Sequence, residues 1–251
     1  MWKDRTEILV GPDGLRRLEQ ATVVVVGLGG VGAVAAEMVA RAGVGHMAII
    51  DSDSVSETNL NRQVIALRST VGRGKTGVVA ERLRDINPDL DLKVICEYLT
   101  EANAAEIVAA ACGEASRGDL FVIDAIDTLA PKLALVRHCV ENGLPLVSSM
   151  GSGAKYDMTK IRITDISKSF NCPLAYIVRK KLRHMGISKG FKVVFSEELP
   201  VEEAIVEMSP EEQAETSNKK SQVGTISYLP AAFGCAAAQA ALTHLLNVRT
   251  K

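Results

Sequence analysis

No Cys-x-x-Cys pair occurs anywhere in this 251-residue chain. Its five cysteines, Cys96, Cys112, Cys139, Cys172 and Cys235, stand far apart. That pattern argues against structural zinc of the four-cysteine kind. No export signal is visible either. Met1-Trp2-Lys3-Asp4-Arg5 opens with charge, without the apolar stretch that a signal peptide needs. An odd number of cysteines behind such a start fits reduced thiols and a cytoplasmic location. Net charge is nearly absent, at -1, so the molecule as a whole has no pull toward nucleic acid. Any such affinity must come from a local patch. An unbroken apolar run is missing too. The most apolar long stretch, Ile226 to Leu246, holds Pro230, Gln239 and His244 and reads as core, not as a membrane span. There are no internal repeats.

What is present is an ordinary globular balance, 47% apolar and 24% charged, on a chain long enough to bury a sizeable core. The first half alternates two periods. Thr22 to Val26 is a β-branched run, read as a buried strand. Gly30 to Ala42 follows as a helix and His46 to Ile50 as a second strand. Lys75 to Ile86 carries Val78, Val79, Leu83 and Ile86 at helical spacing and is closed by Asn87-Pro88. Leu92 to Cys96, Leu120 to Ile123 and Leu144 to Ser148 read as further strands, with helices over Ala102 to Ala111 and Ala130 to Glu141. The expected fold class is α/β, a Rossmann-like, mostly parallel sheet with helices on both faces. Residues 1–150 are expected to form this core. From 151 to 251 a mixed C-terminal elaboration is expected. It holds strands at Ile161 to Asp165 and Lys192 to Ser196, a basic helix from Pro173 to Met185, and a last helix from about Ala231 to Asn247. Residues 197–222 look too charged to pack and read as a mobile loop.

The strongest local signal is Val26-Gly27-Leu28-Gly29-Gly30-Val31-Gly32, which leaves a strand and opens a helix. In that context Gly27 permits the tight turn, Gly29 and Gly30 allow backbone to approach phosphate, and Gly32 lets the helix pack on the sheet. N–H groups at the helix start then face an anion. The motif alone does not say which nucleotide binds, and a tight turn without a ligand would look similar. Asp51 ends the second strand, where an acid takes ribose hydroxyls, a feature common to NAD and ATP. The following residues separate the two: Asp53, Asn59, Arg62 and, at the next helix start, Lys75. Hydride transfer has little use for two cations beside the phosphates. A triphosphate losing pyrophosphate needs them, because negative charge grows on the leaving group. Asp127 leaves the fourth strand at its carboxyl end and is placed to hold Mg²⁺, which prefers few carboxylates plus phosphate oxygens. Capping the next helix is the plainer role for it. Asp124 is expected to serve structure.

Together, Gly27-Leu28-Gly29-Gly30-Val31-Gly32, Asp51-x-Asp53, Asn59-Leu60-Asn61-Arg62-Gln63, Lys75 and Asp127 resemble the adenylation domain of the ubiquitin-activating superfamily. The second half resembles its tRNA threonylcarbamoyladenosine dehydratases, through Ile163-Thr164-Asp165-Ile166-Ser167-Lys168, Pro173-Leu174-Ala175, Val178-Arg179-Lys180-Lys181-Leu182-Arg183 and Val193-Val194-Phe195-Ser196-Glu197. It departs at Cys172 and Tyr176, where that family usually has Asp and often Arg. The resemblance implies ATP and Mg²⁺ as cofactors, adenylation of a carboxylate, a homodimer and a modified tRNA as substrate. It leaves room for a sulfur-transfer partner protein. Carried over by position, Gly30 and Asp51 hold the nucleotide, Asn59, Arg62 and Lys75 serve phosphates, and Asp127 holds metal. Arg5 stands where the family supplies an arginine finger from the partner subunit, on what reads as a mobile N-terminal arm.

The basic helix points to tRNA on other grounds. Leu174, Ile177, Val178, Leu182 and Met185 form an apolar stripe, and Arg179, Lys180 and Arg183 lie outside it. A near-neutral protein needs such a concentrated patch for phosphates, although a solvated amphipathic helix looks the same. The dehydration needs no thioester, so no cysteine is assigned as nucleophile, and Cys235 is expected to be a small buried side chain on its Ala-rich helix. The competing function is adenylation of the C-terminus of a sulfur-carrier or ubiquitin-like protein. A third is an NAD-dependent oxidoreductase or a nucleotide-sensing module.

Overall fold

The structure, a computed structural model of the chain, describes residues 2–208 and 221–248. Its centre is a seven-stranded sheet of order β3-β2-β1-β4-β5-β7-β6. These are β1 (Thr22–Val26), β2 (His46–Ile50), β3 (Asp91–Ile95), β4 (Leu120–Asp124), β5 (Leu146–Ser149), β6 (Ile161–Asp165) and β7 (Lys192–Ser196). All neighbours run parallel except β6 against β7. The sheet therefore crosses residue 150, and the second half of the chain extends the same layer by two strands.

Alternation along β1 divides the core. Val23 and Val25 look to one side, with Met47, Ile49, Phe121 and Ile123. There they meet α1 (Asp4–Gln20), α2 (Gly32–Arg41), α3 (Lys75–Ile86) and the last helix, α7 (Tyr228–Leu245). Val24, Val26, Ala48, Ile50 and Val122 look to the other side, onto α4 (Ala104–Cys112), α5 (Leu129–Glu141) and α6 (Pro173–His184). Both faces are covered, which is why β1 and β4 are buried along their whole length instead of alternating between buried and exposed. Each such fully buried Val or Ile contributes ~1.5–3 kcal/mol.

The C-terminal helix returns to the start of the fold. Gly234 on α7 lies so close to α2 that an added Cβ would stand 2.5 Å from the Val31 carbonyl oxygen, and Pro230 abuts Gly30. Beside this contact, the buried Glu37 carboxylate of α2 accepts hydrogen bonds from Arg82 at 2.5 Å and Arg41 at 2.9 Å. Burial pushes its pKa up, but the two guanidiniums outweigh that and hold it below the usual glutamate range.

Several expectations need correction. The N-terminal arm is a helix: α1 carries Arg5 in its first turn and bends at Gly11, which has φ +76° and precedes Pro12. Proline disfavours helical backbone before it, and glycine reaches this φ at little cost. Lys3 ties α1 back on itself through Glu19 at 2.7 Å. In 197–222, the described residues carry backbone pairing that local charge does not reveal. β8 (Ile205–Glu207) pairs antiparallel with β9 (Ser221–Val223), and residues 209–220 lie outside the described residues. The ribbon is fastened to the body at Ala154 by two backbone bonds of 2.8 Å, from the Val201 N–H to Ala154 and from the Ala154 N–H to Gly224, and a third, Gly224 N–H to Ala204, closes its base. Glu198 adds a carboxylate that accepts from the Tyr156 and Asp157 N–H groups. The apolar stripe of α6 is narrower than expected, with Ala175, Val178 and Leu182 buried and Ile177 and Met185 substantially exposed. Cys235 is exposed, not buried.

Candidate active site

Parallel strands deliver their loops to one edge, and here the strand order reverses between β1 and β4. The crevice outside that reversal is where open α/β sheets take ligands. The glycine loop leaves β1 into it. Gly27 holds φ +89°, and a Cβ on it would stand 2.8 Å from the Ala125 carbonyl oxygen of the β4 exit. At Gly32 an added Cβ would fall 1.8 Å from the Gly27 carbonyl oxygen, so only glycine lets α2 start this close to the turn. Gly30 makes room for Pro230 and for the Arg62 carbonyl, a packing requirement. Gly29 meets only the Gln63 amide, at 3.6 Å.

A continuous chain of hydrogen bonds then joins the loop to α3. Asp51 Oδ2 accepts from the Leu28 N–H at 2.6 Å, and Oδ1 accepts from the Asp53 N–H at 2.7 Å. Asp53 Oδ2 pairs with Lys75 Nζ at 2.8 Å, and its carbonyl accepts the Lys75 N–H at 2.9 Å. Lys75 is nearly buried while Asp53 is exposed. Burial pushes the Asp51 carboxyl above the usual aspartate range, with Lys75 and the two N–H donors pulling the other way. The arrangement brings one cation and two acids to the mouth of the glycine loop. Between them, Ser56 and Asn59 form a reciprocal capping box that fixes a short 3-10 turn, Glu57–Asn59. The Arg62 guanidinium closes on the same loop, donating to the Thr58 carbonyl at 2.8 Å and Asn61 Oδ1 at 2.9 Å. Asn61 Nδ2 reaches the second half at the Thr225 carbonyl, 3.1 Å away.

Asp127 is exposed in the segment that leaves β4. Thr128, not Asp127, holds the cap position of α5. Asp124 is buried, in keeping with a structural role. Its partner is a lysine that no local motif marks: Lys132 Nζ lies 2.6 Å from Asp124 Oδ2, 3.2 Å from Ser148 Oγ and 3.0 Å from the Ser149 carbonyl. Both side chains of that pair are 0% exposed. Asp124 Oδ1 also accepts the Ile126 N–H at 3.0 Å. The pair thus locks together the ends of β4 and β5 immediately behind Asp127. Among the described residues no three His, Cys, Asp or Glu side chains are grouped to hold a metal unaided. A single carboxylate such as Asp127 fits Mg²⁺, which completes its shell with phosphate oxygens and water.

The three basic residues singled out on α6 are divided. Lys180 and Arg183 lie on α6, both exposed. Arg179 turns inward instead, bonding the Ser169 carbonyl at 2.7 Å and its hydroxyl. The segment before α6 is close enough for that bond, which is why helical position alone misplaces it. Cys172 is buried at the start of α6.

The family model described as ThiF family matches residues 4–251. This chain belongs to the ThiF family. Among its members it is 43% identical over 197 residues to the tRNA threonylcarbamoyladenosine dehydratase of Bacillus subtilis (strain 168), covering 78% of this chain and 75% of that protein. It is 42% identical over 195 residues to the enzyme of the same name from Escherichia coli (strain K12), covering 76% and 70%. The fold matches the crystal structure of the E. coli tRNA N6-threonylcarbamoyladenosine dehydratase in complex with ATP, with a TM-score of 0.84 and 36% identity over 97% of this chain and 93% of that one. The match to that structure therefore takes in the second half as well as the glycine loop. No described helix is long and apolar enough to cross a membrane.

Proposed function

We propose that this chain is an ATP-dependent dehydratase that cyclises the threonylcarbamoyl group on a tRNA adenosine through an adenylated carboxylate. The observation that carries the reading is the bonded series Leu28–Asp51–Asp53–Lys75 at the glycine loop, beside the β4 exit from which Asp127 follows, in a ThiF chain that resembles the dehydratases over most of its length. Asp51 and the Gly27, Gly29, Gly30 and Gly32 loop seat the nucleotide. Lys75, Arg62 and Asn59 serve the phosphates, and Asp127 would hold Mg²⁺, which would offset charge on the departing pyrophosphate. A carboxylate oxygen of the substrate attacks the α-phosphorus and pyrophosphate leaves. A nitrogen of the same side chain then attacks the acyl carbon, the acyl–phosphate bond breaks, AMP departs with the former carboxylate oxygen, and the nitrogen's proton is lost. The protein works in the cytoplasm as a homodimer. Ile8 and Leu9, each 84% exposed on α1 beside Arg5, support a covered face there.

ATP with Mg²⁺ is expected to raise the unfolding midpoint while NAD leaves it unchanged, because Lys75 and Arg62 together match a triphosphate better than a dinucleotide. Equal shifts from the two in a thermal melt would count against adenylation. Exchange of labelled pyrophosphate into ATP, dependent on threonylcarbamoyladenosine-containing tRNA, tests the reaction itself.

Lys180→Ala/Arg183→Ala is expected to weaken tRNA binding and to flatten its dependence on salt, by ~1 in slope for each phosphate no longer neutralised. ATP binding should be spared. Arg179 is left out of this variant, because its bond to Ser169 is internal. A salt titration of tRNA affinity that superimposes on wild type would remove α6 from the tRNA surface.

A further inference from the structure

Beside the nucleotide crevice lies a second hollow of about 360 Å³. One wall is the phosphate-side loop, at Thr58, Asn61 and Arg62; the other is the β8–β9 ribbon, at Val206, Gln222 and Val223. We propose that this hollow seats the N-carbamoyl amino acid side chain of the substrate and that the ribbon residues Val206, Val223 and Gln222 determine specificity for it. The proposal rests on the dehydratase reading above and names the subsite which that reading lacks.

Location is the first argument. Arg62 lies in the shared wall, so a carboxylate borne by a group in the hollow arrives next to the cation assigned to the phosphates. Asn61 bonds the Thr225 carbonyl, which fastens the phosphate-side loop to the strand that carries Gln222 and Val223. The ribbon in turn is held against the β5 exit. There Gly153 leaves so little room that an added Cβ would stand 2.6 Å from Val223 Cγ1. The two walls therefore hold a defined spacing.

Size and chemistry are the second argument. Small-ligand pockets run from ~300 to 1,000 Å³, so this one, near the lower end, suits a side-chain-sized group. Val206 is 61% exposed and Val223 41% exposed. Among the described residues both stay open to the hollow, and they offer apolar contact to a threonine methyl. The Gln222 amide has both a donor and an acceptor, the complement of a ureido group.

The test uses full-length protein and two tRNAs, one carrying threonylcarbamoyladenosine and one carrying unmodified adenosine at the same position. Wild type is expected to bind the modified tRNA more tightly. Val206→Trp, which fills the hollow, should bind both tRNAs at the unmodified affinity while its thermal shift with ATP and Mg²⁺ stays unchanged. Gln222→Ala should narrow the preference on the order of 10-fold. If Val206→Trp also loses the ATP shift, Gln222→Ala decides alone. Full discrimination retained by both variants, or equal loss of both tRNAs, overturns the subsite. Failure of wild type to exchange pyrophosphate on modified tRNA instead sinks the dehydratase reading, so the two failures are distinguishable.

Discussion

Lys132→Met is expected to lower the unfolding midpoint by roughly 6–20 °C, equivalent to ~3–5 kcal/mol in a chain of this size. The methionine fills a similar volume, so the cost comes from the carboxylate it strands. Asp124 is wholly buried, and its Oδ2 takes the Lys132 ammonium and the Ser148 hydroxyl. A buried charge stripped of its counter-charge is far more costly than a pair removed as a unit. Asp124→Asn/Lys132→Met should therefore recover much of the loss, since the asparagine oxygen still accepts the Ile126 N–H that Asp124 Oδ1 accepts now. A double-mutant cycle by thermal melts measures this coupling. If single and double variants melt together, the lysine contributes packing of its stem and nothing electrostatic. Turnover should fall as well, because this pair fixes the β4 exit that presents Asp127.

The same pair shows where sequence reading stops. The Lys132 ammonium is paired by tertiary folding, and in sequence a lysine on an amphipathic helix looks like any solvated lysine. Features set by short-range chemistry are legible. α3 begins at Lys75 and ends at Ile86 as the apolar spacing and Asn87-Pro88 require. β7 spans Lys192–Ser196 as expected, while β3 and β5 are displaced by one or two residues, within the scatter of any boundary. Gly27 and Gly32 are readable because glycine is demanded there by φ and by close approach. Gly30 reads from sequence as a phosphate residue alone, since its contact with Pro230 depends on a helix far away in the numbering.

The departures share one cause. Composition makes the acidic stretch after β7 look like a loop, yet β8 and β9 are held by backbone bonds to Ala154 and to each other, which composition does not encode. Angular position on α6 turns Arg179 outward, but a long side chain can reach back to Ser169. Alanine neighbours suggest burial for Cys235, and it faces outward on a helix whose apolar residues are not confined to one stripe. The site inherits this division. Its nucleotide side is visible as local motifs, whereas the hollow lined by Val206 and Gln222 exists only because two distant segments meet.

Arg5→Ala is expected to reduce turnover by ~10³-fold with little change in ATP affinity. Arg5 is exposed in the first turn of α1, a helix bent at Gly11 that shows Ile8 and Leu9 to solvent. If a second copy covers that apolar face, it receives the arginine with it. A cation delivered to the phosphates stabilises charge that develops as pyrophosphate leaves, which raises turnover more than binding. Because α1 is helical, the guanidinium is carried on a preformed element and not on a flexible arm, so the full effect of an arginine finger is expected. Mixing distinguishes this from a solvated terminus. In a dimer of one Arg5→Ala chain and one Asp127→Ala chain, one site lacks both groups and the other lacks neither. Such a two-site dimer should recover about half of wild-type activity, although each parent homodimer is nearly inactive. Full activity of Arg5→Ala alone, or no recovery on mixing despite subunit exchange confirmed by mass spectrometry, would show that Arg5 does not act on its partner's site.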